Sequence, residues 1–248
     1  KINRMKKSTV LVTGASRGIG FTIAEKLLES GFKVIGVGKS ESISTTFTHE
    51  NYSGIACDLS SKTDLEQKLK PVLESENCPE VLINNAGIAD PCSFDVSDDE
   101  WEIKWNRTLQ VNLNTPVQLI KWAIPMWEKR KQGIHIVISS RAAYRGETEQ
   151  YASYAASKSG IIGVSKTIAR GFGERGITSF AVAPGFTMTD MLKEAIPVYG
   201  EAYMKRENVL GEIAPTDDVA DLCVLLSEGK LKHMTGQTFH INSGSYML

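Results

Sequence analysis

Short apolar runs rich in β-branched residues alternate along the chain with longer stretches whose apolar positions recur every three or four residues. Thr9–Thr13 (TVLVT) reads as a buried strand, and helical periodicity follows over Ile19–Glu29, stopping at Gly31, a residue suited to the left-handed turn after a helix. Val34–Val37 is the second predicted strand and Ser53–Cys57 a weaker third. A helix over Lys62–Leu73, with Leu65, Leu69, Val72 and Leu73 on one face, leads to a fourth strand at Val81–Ile83. A long helical region spans Asp98–Lys131, with Pro116 and Pro125 predicted to bend or divide it. Ile134–Ile138 is the fifth strand, Tyr151–Phe172 a long helix and Thr178–Ala183 the sixth strand. After Pro184 the pattern is irregular until a helix at Asp217–Leu226 and a last strand at Thr238–Ile241.

Strands that are apolar throughout, separated by helices, call for a parallel sheet covered on both faces, because sequential parallel strands need crossovers. No repeat, linker or low-complexity tract interrupts the chain. The expectation is therefore one doubly wound, Rossmann-type α/β domain over 1–248, with about seven strands. Residues 1–7 read as an N-terminal extension and 186–213 as an insertion over the site.

Composition narrows the classes. The 28 Lys and Arg against 29 Asp and Glu give a net charge of -1, which argues against a dedicated nucleic-acid binder. Cys57, Cys78, Cys92 and Cys223 lie far apart without a CxxC pair, as expected of thiols in a reducing, cytoplasmic setting. No apolar run approaches the ~20 residues needed to cross a bilayer. The basic N-terminus is too poor in apolar residues for a signal peptide. His49, His135, His233 and His240 show no metal-ligand spacing, so no metal is expected.

Chemistry enters at the first strand–helix turn, Thr13-Gly14-Ala15-Ser16-Arg17-Gly18-Ile19-Gly20. Glycines there allow a tight turn and a close approach of backbone to a pyrophosphate, which the following helix N-terminus favours. At the end of the second strand, where a carboxylate would bind a ribose 2′-hydroxyl, Gly38-Lys39-Ser40 holds no acid before Glu41. Lys39 and Ser40, with Arg17 within reach, suit a 2′-phosphate and point to NADP(H); a solvated surface role for Lys39 stays open.

Farther along, Tyr154 and Lys158 stand four residues apart on one helical face. A neighbouring ammonium is expected to lower the phenol's pKa toward neutral pH and fit it for proton transfer. Ser139 and Ser140 close the fifth strand at the carboxyl end, where such sheets bind ligands; either could hold a carbonyl oxygen.

These residues resemble, in order, the motifs of the short-chain dehydrogenase/reductase family. The series is TGASRGIG at 13–20, Asp58, NNAG at 84–87, Asn112, Ser140, YAASK at 154–158, and Pro184-Gly185 leading to Thr189. The resemblance implies that Gly14, Ser16, Arg17, Gly18, Ile19 and Gly20 cradle the cofactor phosphates, Lys39 and Ser40 meet the 2′-phosphate, and Asp58 and Leu59 border the adenine. It also implies that Asn85, Ala86 and Gly87 line a ribose, and that Pro184, Gly185, Thr187 and Thr189 line the nicotinamide. Tyr154 becomes the general acid in reduction, Lys158 binds the nicotinamide ribose and tunes Tyr154, Ser140 polarises the carbonyl, and Asn112 holds a relay water. Tyr144 and Tyr151 lack a lysine four residues on and read as pocket walls or packing. Two departures from the family, Arg141 directly after the serine and a slightly long Ser140–Tyr154 interval, bear on the pocket's shape.

The segment Phe186–Ile213, with Met188, Met191, Leu192, Ile196, Tyr199, Tyr203 and Met204, suits a lid over a hydrophobic substrate, or in part simple packing. Within the family, AVAPGFTMTDM at 181–191 and TGQTFHINSGSYML at 235–248 look most like 3-oxoacyl-acyl-carrier-protein reductases, although Asn242-Ser243-Gly244 departs from a frequent pair of glycines. That resemblance implies an NADPH-dependent reduction in fatty-acid synthesis, a homotetramer or dimer, and an acidic acyl carrier protein as partner. Lys129-Arg130-Lys131 or Arg175 could meet that carrier, or be solvated helix ends. A sugar, polyol, steroid or small-alcohol oxidoreductase is the alternative; a nucleotide sensor without turnover is expected to lack the Tyr/Lys pair that this chain keeps.

Overall fold

The computed structural model describes residues 8–247, apart from the side chains of Met191, Glu194, Ala195, Val198 and Tyr199. The extension expected at 1–7 and the lid side chains Met191 and Tyr199 thus lie outside the described residues. In chain order the elements are β1 (Thr9–Thr13), α1 (Gly18–Glu29), β2 (Lys33–Gly38), β3 (Tyr52–Ala56), α2 (Lys62–Asp64), α3 (Lys70–Leu73) and β4 (Val81–Asn84). There follow α4 (Asp98–Leu109), α5 (Thr115–Arg130), β5 (Gly133–Ile138), α6 (Ala142–Arg145), α7 (Ala152–Phe172) and β6 (Ile177–Pro184). The last are α8 (Asp190–Tyr199), α9 (Glu201–Arg206), α10 (Thr216–Ser227) and β7 (Thr238–Ile241).

All seven strands run parallel in one sheet of order β3-β2-β1-β4-β5-β6-β7. The order reverses between β1 and β4, so the crossover helices leave opposite faces and open a crevice at the carboxyl ends. Alternation along each strand divides the core. Val10, Val12, Ile83, Ile134, Ile136 and Val182 pack against Ile23 and Leu27 of α1 and Val219 and Cys223 of α10. On the other face Leu11 and Leu82 meet Leu69, Leu119, Ala123 and Trp127. Trp127 is fully buried and donates its indole N–H to the Pro79 carbonyl at 2.7 Å. His135, in the middle of β5, is satisfied by Ser179 Oγ at 2.7 Å and the Asn84 amide at 3.2 Å.

Two expectations need correction. The prolines do not divide the long helix: α5 continues through Pro125, held by the burial of Leu119, Ala123 and Trp127, and Pro116 sits in its first turn. The irregularity falls instead at a π-turn, Gln110–Asn114, between α4 and α5, and this turn carries Asn112. The segment after Pro184 is not irregular throughout, since it holds α8 and α9 on either side of Gly200. Short length, and Pro197 inside α8, hid their periodicity.

The C-terminal turn braces the end of β6. Asn242 Nδ2 donates to the Tyr246 carbonyl, Oδ1 accepts from the Gly244 N–H, and its Cα crowds Gly185. Ser243 there holds φ 50°, a left-handed conformation unfavourable for a residue with a Cβ. Ser243→Gly is therefore expected to stabilise the fold by about 1 kcal/mol, read as a melting point raised by about 2–4 °C; a lower melting point would show that the strain is offset by the serine itself.

Candidate active site

At the first β–α turn, Gly14 and Gly18 take φ 71° and 56°, open only to glycine without strain. The Gly14 and Ala15 N–H groups both donate to the Val37 carbonyl, tying the turn to β2. Arg17 caps α1 with no side-chain hydrogen bond, and the first turn of α1 holds no acidic residue. The free N–H groups and positive end of α1 are thus left for an anion from outside the chain. Ser16 and Arg17 are exposed beside it. This is the cradle a dinucleotide pyrophosphate requires.

The loop after β4 locks this turn. Thr13 Oγ1 accepts the Asn85 and Ala86 N–H groups at 3.0 and 3.1 Å, and Asn85 Nδ2 donates to the Thr13 and Gly14 carbonyls at 2.9 and 3.3 Å. Asn85 Nδ2 thereby braces the turn. Thr13 was not singled out in the sequence; its place at the end of β1 beside the glycine turn was the available signal.

At the outer edge, Lys39 and Ser40 are exposed, but Lys39 Nζ lies 2.7 Å from Asp58 Oδ2. That ammonium, then the Ser60 hydroxyl and amide, hold the Asp58 carboxyl down to about 2. The expected free cation is thus paired with the residue expected to border adenine. Ser40 Oγ accepts from the Ser42 amide and hydroxyl, so its own hydrogen remains to donate. Leu59 offers its carbonyl to Thr115 Oγ1 at 2.7 Å.

The catalytic candidates meet at the carboxyl ends of β4 and β5. Lys158 is buried and its Nζ donates to the Ile138 carbonyl at 2.8 Å, 5.7 Å from the Tyr154 ring centroid. A Cβ added at Gly87 would stand 3.2 Å from that Nζ and 3.4 Å from Asn112 Oδ1, so glycine leaves room there for the lysine head group. Asn112 Oδ1 accepts the Ile88 N–H, and Nδ2 donates to the Ile88 carbonyl and to Ser157 Oγ. Ser157 in turn donates to the Tyr154 carbonyl. With both amide hydrogens used, Asn112 acts here as a clamp between the π-turn, the loop after β4 and α7.

The two serines separate clearly. Ser139 is buried and donates to the Lys158 carbonyl at 2.8 Å, pinning α7 to β5. Ser140 is half-buried, accepts the Ala142 N–H, and its hydroxyl favours ionisation of the Tyr154 phenol. Burial outweighs that influence and raises the Tyr154 pKa, with Glu147 adding to the rise. The expected lowering by Lys158 does not appear: its ammonium reaches a backbone carbonyl and lies over the ring, and burial pushes its own pKa down to about 8.

Beyond the catalytic group, Gly185 donates to the Ile241 carbonyl, Thr187 is buried with Oγ1 donating to the Gly185 carbonyl, and Thr189 caps α8 through the Leu192 N–H. Thr189 also approaches Gly18, so the start of the lid closes on the glycine turn. Tyr144 packs against His240 and Tyr246. The basic residues expected to meet a carrier do not face this edge. Lys129 and Arg175 pair with Glu76 and Glu128, and Arg130 donates to the Cys78 and Pro79 carbonyls. They precede β5 and β6 and so lie at the amino end of a parallel sheet, opposite the site. Among the described residues no helix is long and apolar enough to span a membrane.

Comparison with known proteins agrees with the fold. A family model described as enoyl-(acyl carrier protein) reductase matches residues 14–246. The 3-oxoacyl-(acyl-carrier-protein) reductase of Vibrio cholerae is 34% identical over 98% of this chain and 99% of its own length. That of Escherichia coli is 35% identical over 96% of this chain and 97% of its own. Among solved structures, a 4-hydroxyisoleucine dehydrogenase complexed with NADH superposes with a TM-score of 0.85, at 26% identity, over 96% of this chain and 98% of its own.

Lys158 supplies a prediction. Its pKa is lower in the fold than in the unfolded chain, so burial of the charge costs stability below about pH 8, and the cost is relieved as pH rises toward the ordinary lysine value of 10.5. Lys158→Met is expected to be more stable than the parent at pH 7 by up to about 3 kcal/mol, with the advantage shrinking above pH 8. Urea midpoints at pH 7 and pH 10 measure it; a variant less stable at pH 7 would contradict the argument.

Proposed function

The chain belongs to the short-chain dehydrogenase/reductase family, and from that premise we propose that it is an NADP(H)-dependent oxidoreductase interconverting a carbonyl and a secondary alcohol. The observation that carries this reading is the convergence of Tyr154, Ser140, Lys158 and Asn112 at the carboxyl ends of β4 and β5, beside the uncapped N-terminus of α1. The nicotinamide, when bound, supplies or accepts the hydride. Tyr154, kept protonated by burial, donates its proton to the carbonyl oxygen, and Ser140 donates a hydrogen bond to the same atom. Lys158, whose Nζ lies over the Tyr154 ring, would hold the ribose hydroxyls of the bound nicotinamide. Asn112 and Ser157 hold α7 in register so that the phenol stays aimed. Pro184, Gly185, Thr187 and Thr189 would hold the nicotinamide ring.

NADP(H) is favoured over NAD(H) because the end of β2 offers Lys39, Ser40 and the exposed Arg17 before its first acid, Glu41, and the carboxylate of Asp58 is neutralised by Lys39. A 3-oxoacyl thioester is the substrate class that the two reductases support. A carrier would present it from the lid side, where Lys193, Lys205 and Arg206 are exposed. Exposed Ile103 on α4, Val117 on α5 and Leu225 on α10 support a homo-oligomer, a tetramer or dimer. A small polar alcohol or ketone is a second reading, favoured by a buried cation beside Ser140.

Tyr154→Phe is expected to lower kcat for ketone reduction by about 100- to 10,000-fold while NADPH still binds, read by fluorescence of the bound cofactor; turnover at the parent rate would remove the phenol from its role. Arg17→Ala with Lys39→Ala is expected to raise the KM for NADPH about tenfold or more with little change for NADH. Equal loss for both cofactors would exclude a 2′-phosphate site there.

A further inference from the structure

Arg141 follows the catalytic serine and is 2% exposed. Its backbone N–H donates to the Pro184 carbonyl at 2.9 Å, and its guanidinium carbon lies 3.9 Å from the ring centroid of Phe186, where the lid begins. Nη1 and Nη2 are both buried and have no hydrogen-bond partner. The nearest carboxylate oxygen, Glu207 Oε2 just beyond α9, stands 4.0 Å from Nη1, too far for a hydrogen bond, and already receives Arg145 Nη1 at 2.6 Å. Glu207 thus serves two guanidinium groups, with Glu147 acting on both at longer range. Burial and the Arg145 charge push the Arg141 pKa down, while Glu147 and Glu207 oppose this, so the group stays cationic at neutral pH.

A desolvated guanidinium with two unused donor nitrogens is costly to keep, and its planar fork matches a carboxylate in two parallel hydrogen bonds. We infer that Arg141 is the receptor for a carboxylate carried by the carbonyl substrate. The side chain starts beside Ser140 in the chain and ends against Phe186, the first residue of the lid, so a carboxylate received there would lie between the serine turn and the lid. The inference rests on the carbonyl-reduction reading but puts an oxo acid, reduced to a hydroxy acid, in place of the neutral 3-oxoacyl thioester. The carboxylate is a handle only. Hydride goes from NADPH to the carbonyl carbon, the Tyr154 proton goes to the oxygen as the C=O π bond breaks, the cofactor is oxidised and the carboxylate is unchanged. A purely structural role, with Arg141 strapping Phe186 and Glu207 together, is the competing account.

Acids and neutral esters of equal chain length distinguish the two. With NADPH, acetoacetate and levulinate are compared with methyl acetoacetate and methyl levulinate, and S-acetoacetyl-N-acetylcysteamine serves as a neutral thioester. Levulinate binding to the NADP+ complex is measured by calorimetry. The expected result is a kcat/KM about 100-fold or more higher for at least one acid than for its ester, with the preference lost in Arg141→Met and partly kept in Arg141→Lys. A strap would instead lower acid and ester rates together and leave their ratio unchanged. Turnover of neutral substrates with no acid preference in the parent protein overturns the inference and leaves carbonyl reduction standing, whether or not Arg141→Met folds. Binding of levulinate that Arg141→Met abolishes, with no carbonyl turned over, upholds the receptor and overturns the reduction. Neither binding nor turnover overturns both.

Discussion

Lys158 carries a buried ammonium whose hydrogen-bond partner is the carbonyl of Ile138, and the geometry around it follows from the need to hold that charge. Its backbone carbonyl is fastened by Ser139 and its ammonium by the last residue of β5, with Gly87 of the loop after β4 leaving room beside it. A charge so poorly solvated raises the energy of the folded chain, a cost accepted at sites where the charge is needed for chemistry. Tyr154, one turn earlier on α7, inherits its position from these fastenings.

The second half of the site is organised by a threonine and an asparagine. Thr13 and Asn85 together satisfy the backbone of two loops that would otherwise meet edge to edge, and they free the N-terminus of α1 for an anion. The glycine turn is thereby made rigid from behind, and the backbone that faces outward stays unobstructed. A phosphate site needs such preorganisation, because a turn that had to be ordered on binding would lose affinity to entropy.

The lid is built differently. Phe186 lies under the Arg141 guanidinium, Thr189 caps α8 next to Gly18, and Glu207 closes the far end through Arg145. Within it Lys193 and Lys205 pair with Asp190 and Glu201, while the two terminal nitrogens of Arg141 beside it are left without a partner.

The doubly wound sheet, the glycine turn, the Tyr154–Lys158 spacing and the strand ends bearing Ser140 and Pro184-Gly185 were all legible in the residues. They depend on local periodicity and on glycine, which a chain reports one window at a time. Only the tertiary structure decided which of two serines is free, since Ser139 is consumed by a carbonyl 19 residues away. It alone turned Asn85 and Asn112 into braces, paired Lys39 with Asp58 and sent the Lys129–Lys131 cluster to the amino end of the sheet. It also reversed the expected direction of the Tyr154 pKa. Spacing on a helix says which groups are neighbours, but burial and the partner each group chooses are set by segments distant in the chain.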